Sequence, residues 1–327
     1  MKTNHVLPPY SFLAALAIIF SSFLLLDTSF CATFVPGDVF WADGGGTAPF
    51  ELMNATGGGN FASASPFASI GRSVGQIAWS ADLTIAYITE FANNRVVAIT
   101  AAGVVTVFAT GISNPSGLLR TNNNHLLVVS YGIPGVIDIT AGGNFSGATP
   151  FANGFSGPRS LLQLANGKIL LSDQNLGKVI DITAGGNFSG NTGFAFGFPQ
   201  TIADLVQNAA GHIYVADYNA NAVFDITSGG NFLSATAFAS GKHFVGLTIN
   251  GSGRLLASEL LTGSIYDITS GGNFSSATPF ASNLPGSGDT ALDTVPSVPE
   301  PTSIALLLVC NVCLLARWRL RRNDGNV

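Results

Sequence analysis

The sequence predicts an all-β fold, a six-bladed β-propeller, and three observations predict it. Composition is the first: only 9% of the 327 residues are charged, against about 25% in an ordinary soluble domain. There are 39 glycines and 24 phenylalanines but 2 methionines. Few strong helix formers remain, while Gly, Val, Phe and Thr suit short strands joined by tight turns. The second observation is a repeated string. Asp-Ile-Thr-(Ala/Ser)-Gly-Gly-Asn-Phe begins at Asp138, Asp181, Asp225 and Asp267, with divergent copies at Asn54 and Ala98. Successive starts are 44, 40, 43, 44 and 42 residues apart, the length of a four-stranded propeller blade. The third is a two-residue rhythm such as Val179-Ile180-Asp181-Ile182-Thr183, which puts Ile180 and Ile182 on one face of a strand.

The chain opens with Lys2 and no acid, an apolar run over 12–26, and small residues around Ser29, Cys31 and Ala32. This is the layout of a secretory signal peptide, expected over 1–31. The run is too short for an ordinary spanning helix of about 20 residues. Phe30 before Cys31 disfavours a lipoprotein cysteine.

The propeller is expected over 34–294. Each unit reads as a Pro-x-x-Leu-Leu element (115–119, 158–162, and more weakly 199–203), then Gly-x-Ile-Tyr-Val-Ala-Asp as at 211–217, then Val-x-Asp-Ile-Thr. A Gly-Gly-Asn turn follows, whose glycines supply positive φ where two strands reverse, and then an Asn-Phe-Ser-x-x-Thr-Pro-Phe-Ala edge strand. Phe145, Phe188, Phe232 and Phe274, with Phe151, Phe238 and Phe280, fill the space between adjacent sheets. Residues 37–43 form a second-strand element with no first strand before it, and 284–292 form a first-strand element left over at the end. Pairing them closes six blades and removes the exposed sheet edges.

After the propeller, 295–327 contains Val298-Pro299-Glu300-Pro301, an uncharged stretch over 302–316, and then Arg317, Trp318, Arg319, Arg321 and Arg322. Positive charge after an apolar segment places that end in the cytoplasm, and the 15-residue span reaches across a bilayer with snorkelling arginines. This tail resembles the PEP-CTERM sorting signal of Gram-negative and related bacteria. The resemblance carries a sorting motif of Pro299, Glu300, Pro301, Arg317, Arg319, Arg321 and Arg322. It implies a transmembrane sorting helix, a precursor held transiently in the inner membrane, recognition by an exosortase-type membrane protease, and release to the cell surface or an extracellular matrix. Partners there would be extracellular polysaccharide or surface proteins. Removal of both ends would also remove Cys31, Cys310 and Cys313, all the cysteines of the chain.

The repeats themselves resemble those of NHL-repeat and gluconolactonase-like six-bladed propellers, through 215–219 (Val-Ala-Asp-Tyr-Asn) and 171–175 (Leu-Ser-Asp-Gln-Asn). That likeness is one of fold, shared by enzymes, binders and scaffolds. In such enzymes the channel mouth holds a divalent metal on Glu, Asn and Asp, or a catalytic His. Here the starts of the innermost strands offer Arg72, Ser116, Arg159, Gln200, His243 and Asp289. This mixed set departs from the metal pattern, so neither a metal nor another cofactor is expected. The weak catalytic candidates are His243, Arg159 and Asp289.

Two further sets of acids are read as structural. Asp43, Glu90, Asp173, Asp217 and Glu259, with Ser130 in the matching place, end the second strands on separate blades and suit turn capping. Asp138, Asp181, Asp225 and Asp267 precede the Gly-Gly-Asn turns one per blade, whereas a calcium site needs about six to eight converging oxygens. His125, His212, Asp38, Lys168 and Arg254 share one repeat position, which reads as a solvated turn because it takes both signs of charge. A net charge of −5 with 13 basic residues leaves no surface to neutralise a phosphate backbone, so nucleic acid is not an expected partner. The expected function is an exported surface or matrix propeller that binds or scaffolds; the alternative is a lyase or lactonase working through the central channel.

Overall fold

Five of the six copies of the repeat string end the third strand of a blade and then leave that blade. A computed structural model of the chain describes residues 32–45, 50–71, 75–199, 201–286 and 290–297. The expected signal peptide lies outside them, as does the expected sorting tail from residue 298 on, while Val295, expected in the tail, is buried in the propeller. The chain divides into two units, Met1–Ala32 and Thr33–Val327, and the propeller belongs to the second. Among the described residues no helix is long and apolar enough to cross a membrane.

Six sheets form the ring, as the repeat count predicts. Blade 1 runs from Ala291–Thr294 on the inside through Val39–Ala42 and Phe50–Asn54 to Ala68–Ile70. Blade 2 is Ile77–Trp79, Ile85–Glu90, Arg95–Thr100 and Val105–Thr110. Blade 3 is Pro115–Arg120, Leu126–Ser130, Gly135–Asp138 and Ala152–Asn153. Blade 4 is Pro158–Gln163, Ile169–Asp173, Lys178–Asp181 and Ala195–Phe196. Blade 5 is Ile202–Gln207, Ile213–Asp217, Ala222–Asp225 and Ala239–Ser240. Blade 6 is Phe244–Ile249, Leu255–Glu259, Ser264–Asp267 and Ala281–Ser282.

The ring closes as expected from the two orphan elements, with Val39 paired to Thr294 and Trp41 to Leu292 in an antiparallel ladder. Val295 extends the join by accepting from the Gly37 amide at 2.9 Å and donating to the Asp38 carbonyl at 2.8 Å. The closing strand starts later than expected, at Ala291. Leu284 packs instead in the apolar layer between blades 6 and 1.

The Gly-Gly-Asn segment departs from expectation. It does not reverse the chain onto its own blade: Gly186–Asn187 pairs in parallel with Ala152–Asn153 of the preceding blade. The amide of Gly186 donates to the Phe151 carbonyl and that of Phe188 to Asn153, both at 2.9 Å. Gly185 and Gly186 stand at φ +64° and +94°, a conformation that glycine adopts without steric cost. The chain then returns to its own blade for a two-residue fourth strand, so most of the expected edge strand is loop. Gly143–Asn144, Gly230–Asn231, Gly272–Asn273 and Gly59–Asn60 do the same, the last joining blade 6 across the chain ends. Blade 1 has four strands among the described residues. The divergent copy at Ala98 explains this: it lacks Gly-Gly-Asn and folds as a tight hairpin, Gly103 N–H donating to the Thr100 carbonyl at 2.8 Å.

Six apolar clusters fill the six spaces between adjacent sheets. Phe145, Phe151, Phe188, Phe232, Phe238, Phe274 and Phe280 all pack in them, as their positions in the repeat predict. Only short strands are needed to cover so much aromatic area.

Candidate functional site

The acids that end the second strands are all buried. In blades 2, 4 and 5 the oxygens of Glu90, Asp173 and Asp217 hold the loop that enters the innermost strand of the same blade. Asp173 accepts the amides of Ser156 at 2.8 Å and Gly157 at 2.9 Å, and that of Leu176 at 3.1 Å. Glu90 accepts the Gly71 amide at 2.7 Å, the Asn93 side chain at 2.8 Å and the Arg95 guanidinium. Burial pushes the Glu90 carboxyl up, but these donors outweigh it and hold it below the ordinary range. Asp217 takes the Thr201 hydroxyl and the Ala220 amide, and Glu259 takes the Thr262 hydroxyl. Ser130 plays the same part by donating to the Ser113 carbonyl at 2.9 Å. Among the described residues no three His, Cys, Asp or Glu side chains gather as a metal ion would require.

The position read as a solvated turn is one half of a pair. His125 meets Asp138 at 2.6 Å, Lys168 meets Asp181 at 2.9 Å, His212 meets Asp225 at 2.7 Å and Arg254 meets Asp267 at 3.4 Å. In blade 1 the acid stands on the other side, with the neutral Asn54 side-chain amide donating to Asp38 at 2.9 Å. The other carboxylate oxygen takes the Thr two residues on, whose hydroxyl accepts a strand amide, as Thr183 does from Ile169 at 2.9 Å. Partial burial pushes Asp138, Asp181 and Asp225 up, and the threonines with the facing His or Lys hold them below their usual range. Both signs of charge occur here because what is kept is the pair.

The innermost strands surround the axis, each touching its neighbours. Their pairing registers set which residues are equivalent. Pro158 faces Asp173, Ile202 faces Asp217 and Phe244 faces Glu259, each before a bulge. The ring equivalent to Ser116 and Arg159 therefore holds Ala203 and Val245, not Gln200 and His243. The weak proline element of the fifth unit had suggested a register three residues too early. A constriction of about 10 Å³ lies on the axis, lined by Arg159, Ser160, Ala203, Asp204, Val245 and Thr290 with Gly75. Arg159 is 7% exposed and Asp204 4%. His243 is not in this constriction; its Nδ1 stands 3.9 Å from the Glu259 carboxylate. Asp289, Arg72 and Gln200 lie outside the described residues.

Three polar side chains missed by the repeat logic tie the innermost strands to one another around the axis. Gln76 accepts the Leu161 amide at 2.8 Å and donates to the Leu161 carbonyl at 2.6 Å. Asp204 accepts the Ser160 hydroxyl at 2.6 Å, the Leu205 amide at 2.8 Å and the Leu247 amide at 2.9 Å. Asp293 accepts the Ile77 amide at 2.7 Å. Burial pushes Asp204 up to about 6 despite those donors and nearby Arg159. It pushes Asp293 well above its usual value, with the Asp204 charge adding to the effect. A visible signal existed: each acid interrupts an apolar strand, Ile202-Ala203-Asp204-Leu205-Val206 and Ala291-Leu292-Asp293-Thr294. Below the constriction the channel widens into a cavity of about 310 Å³ that Asp293, Arg120 and Gln163 share with apolar wall residues.

No family model matches the chain, and no curated protein does. Solved structures share the fold. A protein of unknown function from Bacteroides caccae is 12% identical with a TM-score of 0.50, over 80% of this chain and 100% of that one. Virginiamycin B lyase from Staphylococcus aureus is 18% identical with a TM-score of 0.45, over 65% and 71%. A gluconolactonase from Xanthomonas campestris is 14% identical with a TM-score of 0.47, over 75% and 88%.

Proposed function

We propose that the chain is an exported bacterial propeller that binds or scaffolds outside the cell and performs no chemistry of its own. The observation that carries this reading is how its acids are used. Carboxylates at the strand ends are buried against loop amides and hydroxyls, and the axis is pinched to about 10 Å³ where Arg159 and Asp204 stand. A general acid or a metal ligand needs an oxygen that can turn toward substrate, and at Asp173 and Glu90 the oxygens are engaged by loop amides and neighbouring side chains. Export is supported by the apolar run over 12–26 and by Pro299, Glu300, Pro301 and the arginines at 317, 319, 321 and 322. On this reading an exosortase-type protease releases an inner-membrane precursor to the surface, and the partners are extracellular polysaccharide or surface proteins.

The test has two arms. Purified protein should co-sediment with polysaccharide or envelope material of the producing cells, and should turn over neither lactones nor cyclic depsipeptides. Turnover that Arg159→Ala or His243→Ala abolishes would replace the reading with an enzyme of the lyase or lactonase kind. Intact mass of the exported species should lack both ends; a mature chain that still reaches Val327 would refute the sorting part alone.

A further inference from the structure

The cavity below the constriction has the make-up of a small-molecule site. Its volume of about 310 Å³ lies at the lower end of the range for ligand pockets. Ile77, Leu118, Leu161, Leu205 and Leu247 supply apolar wall. Into this wall is set one half-buried carboxyl, Asp293. Oδ2 of that carboxyl takes the Ile77 amide at 2.7 Å; Oδ1 makes no hydrogen bond among the described residues and is left facing the cavity.

Among the described residues no cation is paired with this carboxyl. Arg120 lines the same cavity, but its Nε donates to the Trp79 carbonyl and its Nη1 to the Asn124 side chain, both at 2.6 Å. Arg159 stands in the constriction, beside Asp204. Burial first, and then the like charge of Asp204, raise the Asp293 carboxyl well above its usual value. An acid in apolar surroundings without a counter-charge is costly to ionise, and a partner that brings the missing positive charge is favoured there.

We propose that this cavity binds a small organic ammonium, an apolar body carrying one protonated amine that donates to Oδ1 of Asp293. A hard divalent cation would need about six converging oxygens, whereas Asp293 is the one carboxylate among the residues that line this cavity. Arg120, Gln163 and Asn122 at the edge are placed to meet polar groups on the far end of the ligand. The inference rests on the binding reading above and adds a ligand class and a place.

Calorimetric titration of the full-length protein with benzylamine and with benzyl alcohol tests it. The two probes share a ring and differ in charge. The amine should bind about tenfold or more tightly than the alcohol. In Asp293→Asn, which retains an acceptor for Ile77, that preference should vanish while the alcohol still binds. Asp293→Ser serves as the second variant where the first fails to fold. Equal affinities in the native protein, an unchanged preference in a folded Asp293 variant, or binding of neither probe up to about 10 mM would each overturn the pocket. None of these outcomes bears on co-sedimentation with polysaccharide, which tests the broader reading separately.

Discussion

Asp204 and Asp293 are two carboxyls set into the axis of the ring, and burial, with the charge on Asp204 adding to it, drives Asp293 toward its protonated form. An acid whose folded value is raised stays protonated while the unfolded chain ionises, so its contribution to stability falls as pH rises. For Asp204 the fall lies between pH 4 and about 6, and amounts to about 3 kcal/mol. Asp138, Asp181, Asp225 and Glu90 are held low, and they act oppositely, losing stability as pH falls below about 4. Thermal unfolding should therefore show a maximum near pH 4 to 5 and a decline toward neutrality. Asp293→Asn should flatten that decline. A melting temperature that climbs steadily from pH 4 to 7 would show that the axial acids are not shifted upward.

Ring closure rests on a short strand. A chain stopped after Ser297 should melt like the parent. One stopped after Gly286 loses Ala291 and Leu292, both fully buried, and bares the Val39–Ala42 edge. The cost is about 3 to 5 kcal/mol for the leucine alone, a drop of about 10 °C or more in a domain of this size. Equal melting temperatures would refute closure by this strand.

The stitching dipeptides separate two ways in which glycine is required. Gly154 has φ +86°, and a Cβ there would stand 2.4 Å from the Ser189 amide nitrogen. Gly186 has φ +94° with open space around it. Gly154→Ala should cost about 2 to 4 kcal/mol and Gly186→Ala about 1 to 2. Urea unfolding that ranks them the other way would show that backbone strain, not crowding, governs this turn.

Within the surface pairs, the threonine matters more than the charge. Lys168→Ala removes an exposed ion pair and should cost under about 0.5 kcal/mol. Thr183→Val leaves the Ile169 amide without its acceptor and should cost about 1 kcal/mol. The prediction is lost if the lysine variant is the weaker of the two in denaturant titration.

The architecture was legible because its signal repeats: the string at Asp138 recurs, and each recurrence votes for the same blade. Asp204 escaped for the opposite reason. Its equivalents by register are Ser160 and Gly246, so nothing periodic marks the place. The parallel stitch was invisible for another reason. A Gly-Gly-Asn that turns back and one that crosses to the next sheet use the same positive φ values, and only the neighbouring blade decides between them. The lesson for the axial residues is to look for acids that break an apolar strand.

Five sheets borrow their outermost strand from a later or an earlier repeat, and blade 1 takes its inner strand from the far end of the domain. A chain emerging amino end first can therefore finish none of blades 1 to 5 when its own repeat appears. Blades 2 to 5 wait for one more repeat each, and blade 1 waits for Thr294 to find Val39. Contacts so distant in sequence form slowly, so the half-emerged chain presents bare strand edges to its surroundings throughout its passage. On the proposed export reading this delay would be protective, because the closed ring that would block translocation is completed only by the last strand, Ala291–Thr294.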